Sequence, residues 1–351
     1  MQKMKANNSI RREGYGPVWY LGALLITLLI FMLSAGVGSV SIPLKETARI
    51  LFGAVFGPVT PSGSHASILL SVRLPRVLCV TLTGAALSLS GAAMQGLLKN
   101  PLADGSTLGV SAGASLGAVL AIALGITFPS LPFAGTAVCA VLFAFLSLVL
   151  ILALAYRLDS SLSTNTIILI GVIFSMLVSS VISLIITFVP EKLKSITFWT
   201  MGSLAGTTYK DALLLCITLI ICGAVLLCLA DELNAFAVGE ENARHIGIDV
   251  KKVRLTVLAC VSLLVGIASA IGGTIGFVGL VVPHMVRLIT GPNHKKLLPA
   301  CLFGGANFLM LCDLAARTVA APRELPLGTV TSLLGAFVFL FLFIRAGRKR
   351  I

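Results

Sequence analysis

The stretch that decides the fold covers residues 73–115 and reads RLPRVLCVTLTGAALSLSGAAMQGLLKNPLADGSTLGVSAGAS. A basic turn leads into an apolar run, 77–98, that is long enough to cross a bilayer as a helix. A polar segment, 99–104, interrupts the chain before a second apolar run begins after Gly109. Irregular backbone at membrane depth is tolerated only where it is buried in protein or lines a watery cavity. The interruption therefore predicts a transport pathway.

The composition is that of a membrane protein. With 57% hydrophobic and 11% charged residues, the chain differs from a soluble domain, in which about 25% of residues are charged. We predict an all-α polytopic membrane protein with about ten transmembrane helices, forming a single transmembrane domain over residues 1–351. The eighth apolar run is short, so we expect it to be buried or broken. The ten runs cover residues 18–38, 77–98, 107–125, 132–155, 166–189, 211–230, 253–275, 277–290, 298–316 and 327–345.

The net charge of +13 orients the protein in the membrane. With ten spans and the N-terminus inside, most Lys and Arg residues fall in short cytoplasmic segments close to helix ends, as the positive-inside rule requires. We therefore expect a multi-pass protein of the cytoplasmic (inner) membrane of a prokaryote, with both termini cytoplasmic. The first run is interpreted as an uncleaved anchor, and the basic excess does not predict nucleic-acid binding.

An internal repeat is indicated by a constant spacing of 182 residues between several glycines and prolines. This spacing predicts two inverted five-helix halves, approximately 17–205 and 206–345, with the pathway between them. The pairs are Gly84 and Gly266, Gly91 and Gly273, Pro101 and Pro283, and Gly109 and Gly291.

Three connecting segments carry local structure signals. Residues 39–72 contain a possible amphipathic helix at 44–56, and residues 190–210 form a second external segment. The most polar internal loop, 231–252, contains GEENARHIG at 239–247, with acids in a first helical turn and glycine just past its end. This short helix is either a surface cap or a docking element.

Several chemistries are excluded or disfavoured. The glycine spacing at 91–96 is followed by two leucines instead of the Lys and hydroxyl of a phosphate-binding loop, so the chain does not hydrolyse ATP by itself. Its eight cysteines lie in apolar runs without C-x-x-C spacing, and its four histidines are scattered, so no metal centre is predicted. The GVSAG sequence at 109–113 fits close helix packing better than a Ser111 nucleophile.

Four arginines fall on the outer face under this topology, against the positive-inside bias. They are Arg73, Arg76, Arg317 and Arg323. Asp313 lies one helical turn before Arg317, which allows a simple ion pair. Charges at the membrane rim are also functional candidates. An acidic partner outside the cell is the favoured interpretation, and anchoring to lipid headgroups is the alternative.

The chain resembles the permease subunits of ABC importers for iron–siderophore complexes, haem and vitamin B12. The resemblance covers nearly the whole chain. The motifs that carry it are RLPR (73–76), GAALSLSG (84–91) with Gln95, NPLAD (100–104), LGVSAGA (108–114), FWTMG (198–202), GEENARHIG (239–247), GLVVPH (279–284) with Arg287, Asp313 with Arg317, and ELPLG (324–328).

The resemblance implies a permease that dimerises around a central pathway, as a homodimer or with a sister permease. It also implies an extracytoplasmic binding protein and two ATPase subunits that hold ATP and magnesium, so this chain binds no cofactor. The fifth helix and the segment 198–203 would line the pathway. Arg73, Arg76 and Arg317, with Arg323, would dock the binding protein. The inner gate would be Asn100, Leu102, Ser163 and Thr164, and the ATPase coupling helix would comprise Glu240, Glu241, Ala243, Arg244, His245, Ile246 and Gly247.

Iron–siderophore import is the expected function, with haem or vitamin B12 as alternative cargoes. A secondary transporter or channel that works alone is a second hypothesis, and an intramembrane hydrolase using Ser111 is a third. The near absence of acidic residues within the middle of the apolar runs argues against proton or sodium coupling, which usually needs such residues.

Overall fold

A computed structural model describes residues 16–38, 42–57, 63–126, 134–159 and 163–348. Within these ranges the chain is helical and contains no strand. The helices are α1 (Pro17–Gly36), α2 (Leu44–Phe56), α3 (Ser64–Ile68), α4 (Leu74–Leu98), α5 (Val110–Leu124), α6 (Ala134–Leu158), α7 (Thr164–Phe188), α8 (Leu193–Thr200), α9 (Tyr209–Cys228), α10 (Ala230–Val238), α11 (Glu240–His245), α12 (Val250–Gly272), α13 (Val278–Thr290), α14 (His294–Thr318) and α15 (Leu327–Arg348).

The ten predicted spans are all helical in the described ranges. Seven helices are long and apolar enough to cross a membrane: α1, the continuous α3–α4 segment, α6, α7, α9, α12 and α14. Three shorter apolar helices, α5, α13 and the first part of α15, complete the ten. The predicted short eighth span is confirmed as α13, which has 13 residues and contains Pro283. The predicted amphipathic helix at 44–56 is also confirmed, as α2.

Side chains that accept backbone N–H groups mark where several spans begin. Thr208 and Asp211 form a reciprocal capping box at the start of α9. Asp249 accepts from Lys252 N at 3.0 Å at the start of α12. These caps satisfy N–H groups that have no partner within the first helical turn.

The centre of the bundle is α4, which packs against α12, α13, α14 and α9. Small residues bring its backbone into direct contact with two neighbours. A Cβ atom at Gly84 would overlap the backbone of Gly305 in α14, and one at Gly91 would overlap the backbone of Gly279 in α13. Helices in a membrane associate largely through such close packing of small residues.

The predicted interruption after α4 is confirmed. Lys99 ends α4 in the left-handed conformation with φ of 49°, and a 3₁₀ turn at Gly105–Leu108 precedes α5. Gly105 backs onto Val265 of α12, and Gly109 backs onto Ile151 of α6. The break is therefore buried among neighbouring helices, as irregular backbone at membrane depth requires.

A second interruption of the helices lies at the C-terminal end of α12, after Gly272. Ser203 N donates to Gly272 O at 2.8 Å, and the Thr274 hydroxyl donates to Thr200 O. Gly328 N donates to Gly202 O at 3.3 Å. Three segments thus meet at one end of the bundle: 200–203 at the end of α8, 272–276 at the end of α12, and 326–328 at the start of α15.

Two details of the predicted organisation differ from the structure. The polar loop 231–252 is mostly helical, because α10 continues almost directly from α9 and α11 follows. Two of the four pairs that lie 182 residues apart also differ in local structure: Pro101 lies in a loop whereas Pro283 lies inside α13, and Gly91 is mid-helix whereas Gly273 caps α12. The division into inverted halves stays a prediction.

Candidate functional site

A cavity of about 380 Å³ lies between the two helix breaks. Its walls come from the start of α5, the C-terminal half of α7, and the segments that close the C-terminal end of α12. The lining residues are Ser111, Ala112, Ser115, Val178, Ser179, Ile182, Thr200, Thr274, Ile275 and Gly276. Segment 198–203 and the fifth span, α7, both contribute to this lining.

The cavity is lined by hydroxyl and aliphatic groups, with no ionisable side chain among its described lining residues. The Ser115 hydroxyl donates to Ser111 O at 2.9 Å, and the Ser179 hydroxyl donates to Ser175 O at 2.9 Å. Each of these protons is thus used within its own helix, which leaves the oxygen lone pairs available to accept hydrogen bonds. The lining suits a ligand whose surface is neutral and rich in hydrogen-bond donors and apolar groups.

The hydroxyl surface continues along α7 beyond the cavity. Ser183 and Thr187 follow Ser179 at four-residue spacing, and each donates to the carbonyl one turn earlier, at 3.0 and 2.9 Å. All three residues are exposed in the single chain. This row of hydroxyls makes a polar stripe on an otherwise apolar helix.

The predicted inner-gate residues lie in two local networks. Asn100 Oδ1 accepts from Leu102 N at 2.9 Å, and Leu102 is 53% exposed. Ser163 N donates to Asp159 Oδ2 at 3.0 Å, and the Ser163 hydroxyl contacts the Thr166 hydroxyl at 2.9 Å. Thr164 is the first residue of α7, and its side chain lies outside the described part. Among the described residues no hydrogen bond joins the two networks, so the gate stays a prediction.

Crosslinking tests the inner gate. In a permease with its native cysteines replaced, Leu102→Cys is expected to crosslink between two subunits in a nucleotide-dependent manner, because the exposed leucine would meet its counterpart when the gate closes. Leu124→Cys, at the exposed far end of α5, is the matched control and is expected to stay uncrosslinked. Gel mobility after bismaleimide treatment gives the result. Identical behaviour of Leu102→Cys in every nucleotide state would contradict a gate at this position.

The short helix predicted within 239–247 is present as the six-residue helix α11, and its role in ATPase coupling stays a prediction. One face is held by the protein, since Ala243 is buried and Glu240 Oε1 accepts from Arg254 Nη2 at 2.5 Å. The opposite face is open, and Ile246 and the nearby Val238 are 72% and 73% exposed. The other predicted coupling residues, Glu241, Arg244, His245 and Gly247, are exposed as well. The arrangement presents two apolar side chains and several charges on one surface.

Two of the predicted docking arginines, Arg76 and Arg317, form a buried ionic network. Arg76 Nε donates to Asp313 Oδ1 at 3.0 Å, and Arg76 Nη1 donates to Glu324 Oε2 at 2.7 Å. Arg317 Nε lies 2.9 Å from Asp313 Oδ2, so the ion pair suggested by their spacing is present. Asp313 is 1% exposed and therefore joins two buried guanidinium groups.

Arg73 and Arg317 also hold the C-terminal end of α1. Arg73 Nη1 donates to Ala35 O and Gly36 O at 3.2 and 2.8 Å. Arg317 donates to Ser34 O at 2.9 Å and to Val37 O at 3.0 Å. The last carbonyls of a helix lack intrahelical partners and carry the negative end of its dipole, so both arginines are well placed there.

Three of the four predicted docking arginines thus have partners within the chain, and only Arg323 is exposed. The sequence interpretation favoured an external acidic partner for this outward charge. The structure supplies internal ones, Asp313 and Glu324, together with the carbonyls of α1. Whether the arginines also contact a binding protein stays a prediction.

Two further polar contacts were missed by sequence reasoning. Arg254 is buried in the second turn of α12, where it was counted only as a cytoplasmic charge. Asn234 of α10 accepts from His294 N at 2.8 Å and contacts its ring Nδ1 at 2.9 Å. The His294 ring fits against Gly96 of α4. The partners in the second contact are 60 residues apart, so no local pattern indicates it.

Known proteins match this chain along most of its length. The FecCD transport family matches residues 25–345. YvrB of Bacillus subtilis (strain 168), named an uncharacterised ABC transporter permease protein, is 40% identical over 347 residues, with 98% of each chain covered. BtuC of Escherichia coli O157:H7 (strain EC4115 / EHEC), a vitamin B12 import system permease protein, is 39% identical over 278 residues, covering 79% of this chain and 83% of BtuC.

Solved structures share the architecture. An inward-facing structure assigned to the metal-chelate type of ABC transporter superposes with a TM-score of 0.83 at 32% identity, covering 94% of this chain and all of that chain. PsaBC from Streptococcus pneumoniae, in complex with Fab, gives a TM-score of 0.51 at 16% identity, covering 84% of this chain and 95% of that one. The second likeness is one of fold alone.

Proposed function

The chain belongs to the FecCD transport family and is a membrane-spanning permease of an ABC importer, and we propose that its cargo is an iron–siderophore complex. The observation that carries the cargo proposal is the cavity between the two helix breaks. Its hydroxyl and aliphatic lining suits a bulky chelate that presents amide and hydroxyl groups around a shielded metal. The likeness to a transporter of metal-chelate type supports the same class.

Vitamin B12 is the second candidate cargo. It is favoured by the 39% identity to BtuC over 79% of this chain. Haem is the third, by the same mechanism. All three are large ligands that carry a metal in an organic cage, so the same kind of cavity serves each of them.

The proposed complex contains two permease subunits, separate ATPase subunits that hold ATP and magnesium, and an extracytoplasmic binding protein. The open face of α11, with Ile246 and Val238, supports an ATPase contact, because exposed apolar side chains flanked by charges are typical of protein interfaces. Arg323, at the same end of the bundle as the buried arginine network, supports docking of an acidic binding protein.

Transport in proteoliposomes tests the cargo. The permease, reconstituted with its cognate ATPase and binding protein, is expected to accumulate a radiolabelled ferric hydroxamate siderophore only when ATP is supplied to the ATPase side. Labelled cyanocobalamin and haemin are measured in parallel. ATP-dependent accumulation of cobalamin or haemin without the siderophore would replace the proposed cargo by that alternative. Uptake without ATP would instead support a secondary transporter.

A further inference from the structure

We infer that the ion pair between Arg254 and Glu240 fixes the cytoplasmic helix α11 to α12, so that α12 transmits movement between the ATPase side and the outer closure of the cavity. Arg254 is thus a positioning residue, acting through α11 and α12. The inference rests on the proposed function, since it assumes an ATPase bound at α11. It adds a specific link between that contact and the cavity.

The first observation is the burial of the pair. The Arg254 side chain is 1% exposed, and its Nη2 lies 2.5 Å from Glu240 Oε1, whose side chain is 31% exposed. A buried charge is stable only while a compensating group stays close to it. Glu240 therefore cannot move away from α12 without taking a neutralising carboxylate from a buried guanidinium.

The second observation is that glycines flank α11 on both sides. It has only six residues and is flanked by Gly239 and Gly247, with φ of 146° and 89°. Glycine permits such conformations and leaves the flanking backbone free to rotate. Besides the ion pair, α11 packs on α10 and buries Ala243, whose carbonyl accepts from Ile248 N at 3.0 Å. The ion pair is thus the charged contact that sets the direction of α11.

The third observation is the path of α12. Its 23 residues span about 34 Å at 1.5 Å per residue, which is the thickness of a membrane core. Val257, Val261 and Leu264 are buried along its length, so the helix runs through the packed interior. A helix held on its sides in this way moves as one piece.

At its far end α12 is joined directly to the cavity. Gly272 O accepts from Ser203 N at 2.8 Å, and the next residues, Thr274, Ile275 and Gly276, line the cavity together with Thr200. A displacement of α11 therefore either separates the ion pair or shifts the 272–276 segment against 200–203. Separating the pair would leave the charge of Arg254 buried without this carboxylate, which costs free energy. A shift of α12 is therefore favoured over separation of the pair.

The experiment measures ATP hydrolysis by the assembled complex in nanodiscs, with and without the binding protein. The binding protein acts on the outer side and the ATPase on the inner side, so the stimulation of hydrolysis reports transmission without needing the cargo. Arg254→Met removes the buried charge with little change in volume. The Glu240 carboxylate that it leaves behind is 31% exposed, so water can solvate it. We expect Arg254→Met and Glu240→Gln to lose the stimulation, and Arg254→Lys to retain part of it.

The matched control is Asp231→Asn. Asp231 Oδ1 pairs with Lys295 Nζ at 2.9 Å at the same end of the bundle, but both side chains reach water, with 69% and 32% exposure. Breaking this exposed pair is expected to leave the stimulation at the wild-type level. Unfolding temperatures of all variants are recorded in parallel.

Wild-type stimulation in both Arg254→Met and Glu240→Gln overturns the inference. Glu240→Gln leaves the buried guanidinium without this carboxylate and is expected to lose thermal stability as well. The decisive variant is therefore Arg254→Met. If its loss of stimulation only matches a loss of thermal stability, the inference is overturned, because the pair would then be only structural. A wild-type permease that neither assembles with the ATPase nor supports hydrolysis contradicts the proposed function instead. The two failures are therefore distinguishable.

Discussion

Replacing Asp313 by asparagine is expected to lower the free energy of unfolding by about 3–5 kcal/mol, because it leaves two buried arginines without their shared carboxylate. Asp313 Oδ1 accepts from Arg76, and Oδ2 lies 2.9 Å from Arg317. Asparagine keeps the volume but offers a single neutral acceptor to two cations. Thermal unfolding in detergent and the yield of monodisperse protein measure the effect.

Glu324→Gln is the matched control for this network. Glu324 also pairs with Arg76, at 2.7 Å, but its side chain is 39% exposed. Water can solvate that side of the guanidinium when the charge is removed, so a smaller loss of stability is expected. Equal stability of Asp313→Asn and the wild type would contradict the structural role given to the network.

The same network affects how docking is tested. Charge reversal at Arg76 would disturb folding as well as any contact with a binding protein, so a loss of uptake there has two explanations. Arg323 is exposed and takes no part in the buried ionic network. Arg323→Glu therefore isolates docking: a weaker binding-protein affinity with unchanged stability supports it, and unchanged affinity favours lipid anchoring at this residue.

Gly91→Ala is expected to be among the most damaging single-methyl additions in the chain. A Cβ at this position overlaps the backbone of Gly279, which cannot rotate away as a side chain can. Overpacking a well-packed core typically costs about 1–3 kcal/mol, and a clash between two backbones belongs at the upper end of that range. We expect a clear drop in unfolding temperature and loss of ATP-dependent uptake, since α4 and α13 must move apart.

Gly223→Ala provides the control for the same chemical change. Gly223 is a buried glycine within the membrane helix α9, and its added Cβ would meet Leu89 Cδ2 at 3.5 Å, an ordinary contact. Alanine is the better helix former by about 1 kcal/mol, so this variant is expected to be as stable as the wild type or more stable. If both substitutions behave alike, direct backbone contact at Gly91 is not what holds α4 and α13 together.

Signals that are local in sequence predicted the structure well. Apolar run length identified the ten spans, and the polar break after Leu98 identified the buried interruption before α5. The amphipathic segment 44–56, and the acids and final glycine of 239–247, marked helices that the structure contains. Each of these features depends on residues within one or two helical turns, which the chain displays directly.

Contacts between distant parts of the chain were not predictable in the same way. Arg76 was placed on the outer face, but its partner Asp313 is 237 residues away and becomes adjacent only when α4 packs on α14. Arg254 follows two lysines at the start of a span and resembles an ordinary cytoplasmic anchor. Its burial results from the rotation of α12 in the bundle, which depends on packing against four other helices.

The hydroxyl lining of the cavity has an electrical consequence. Since none of its described lining residues is ionisable, the cavity wall provides no opposite charge to a charged cargo as it passes. No lining group can take up or release a proton to offset that charge, so the full charge of the cargo crosses the membrane voltage, at about 2.3 kcal/mol per elementary charge for each 100 mV. An anionic chelate entering a cell with a negative interior moves against that voltage, and each ATP-driven cycle has to supply this work in addition to the concentration gradient. A neutral chelate is imported without it.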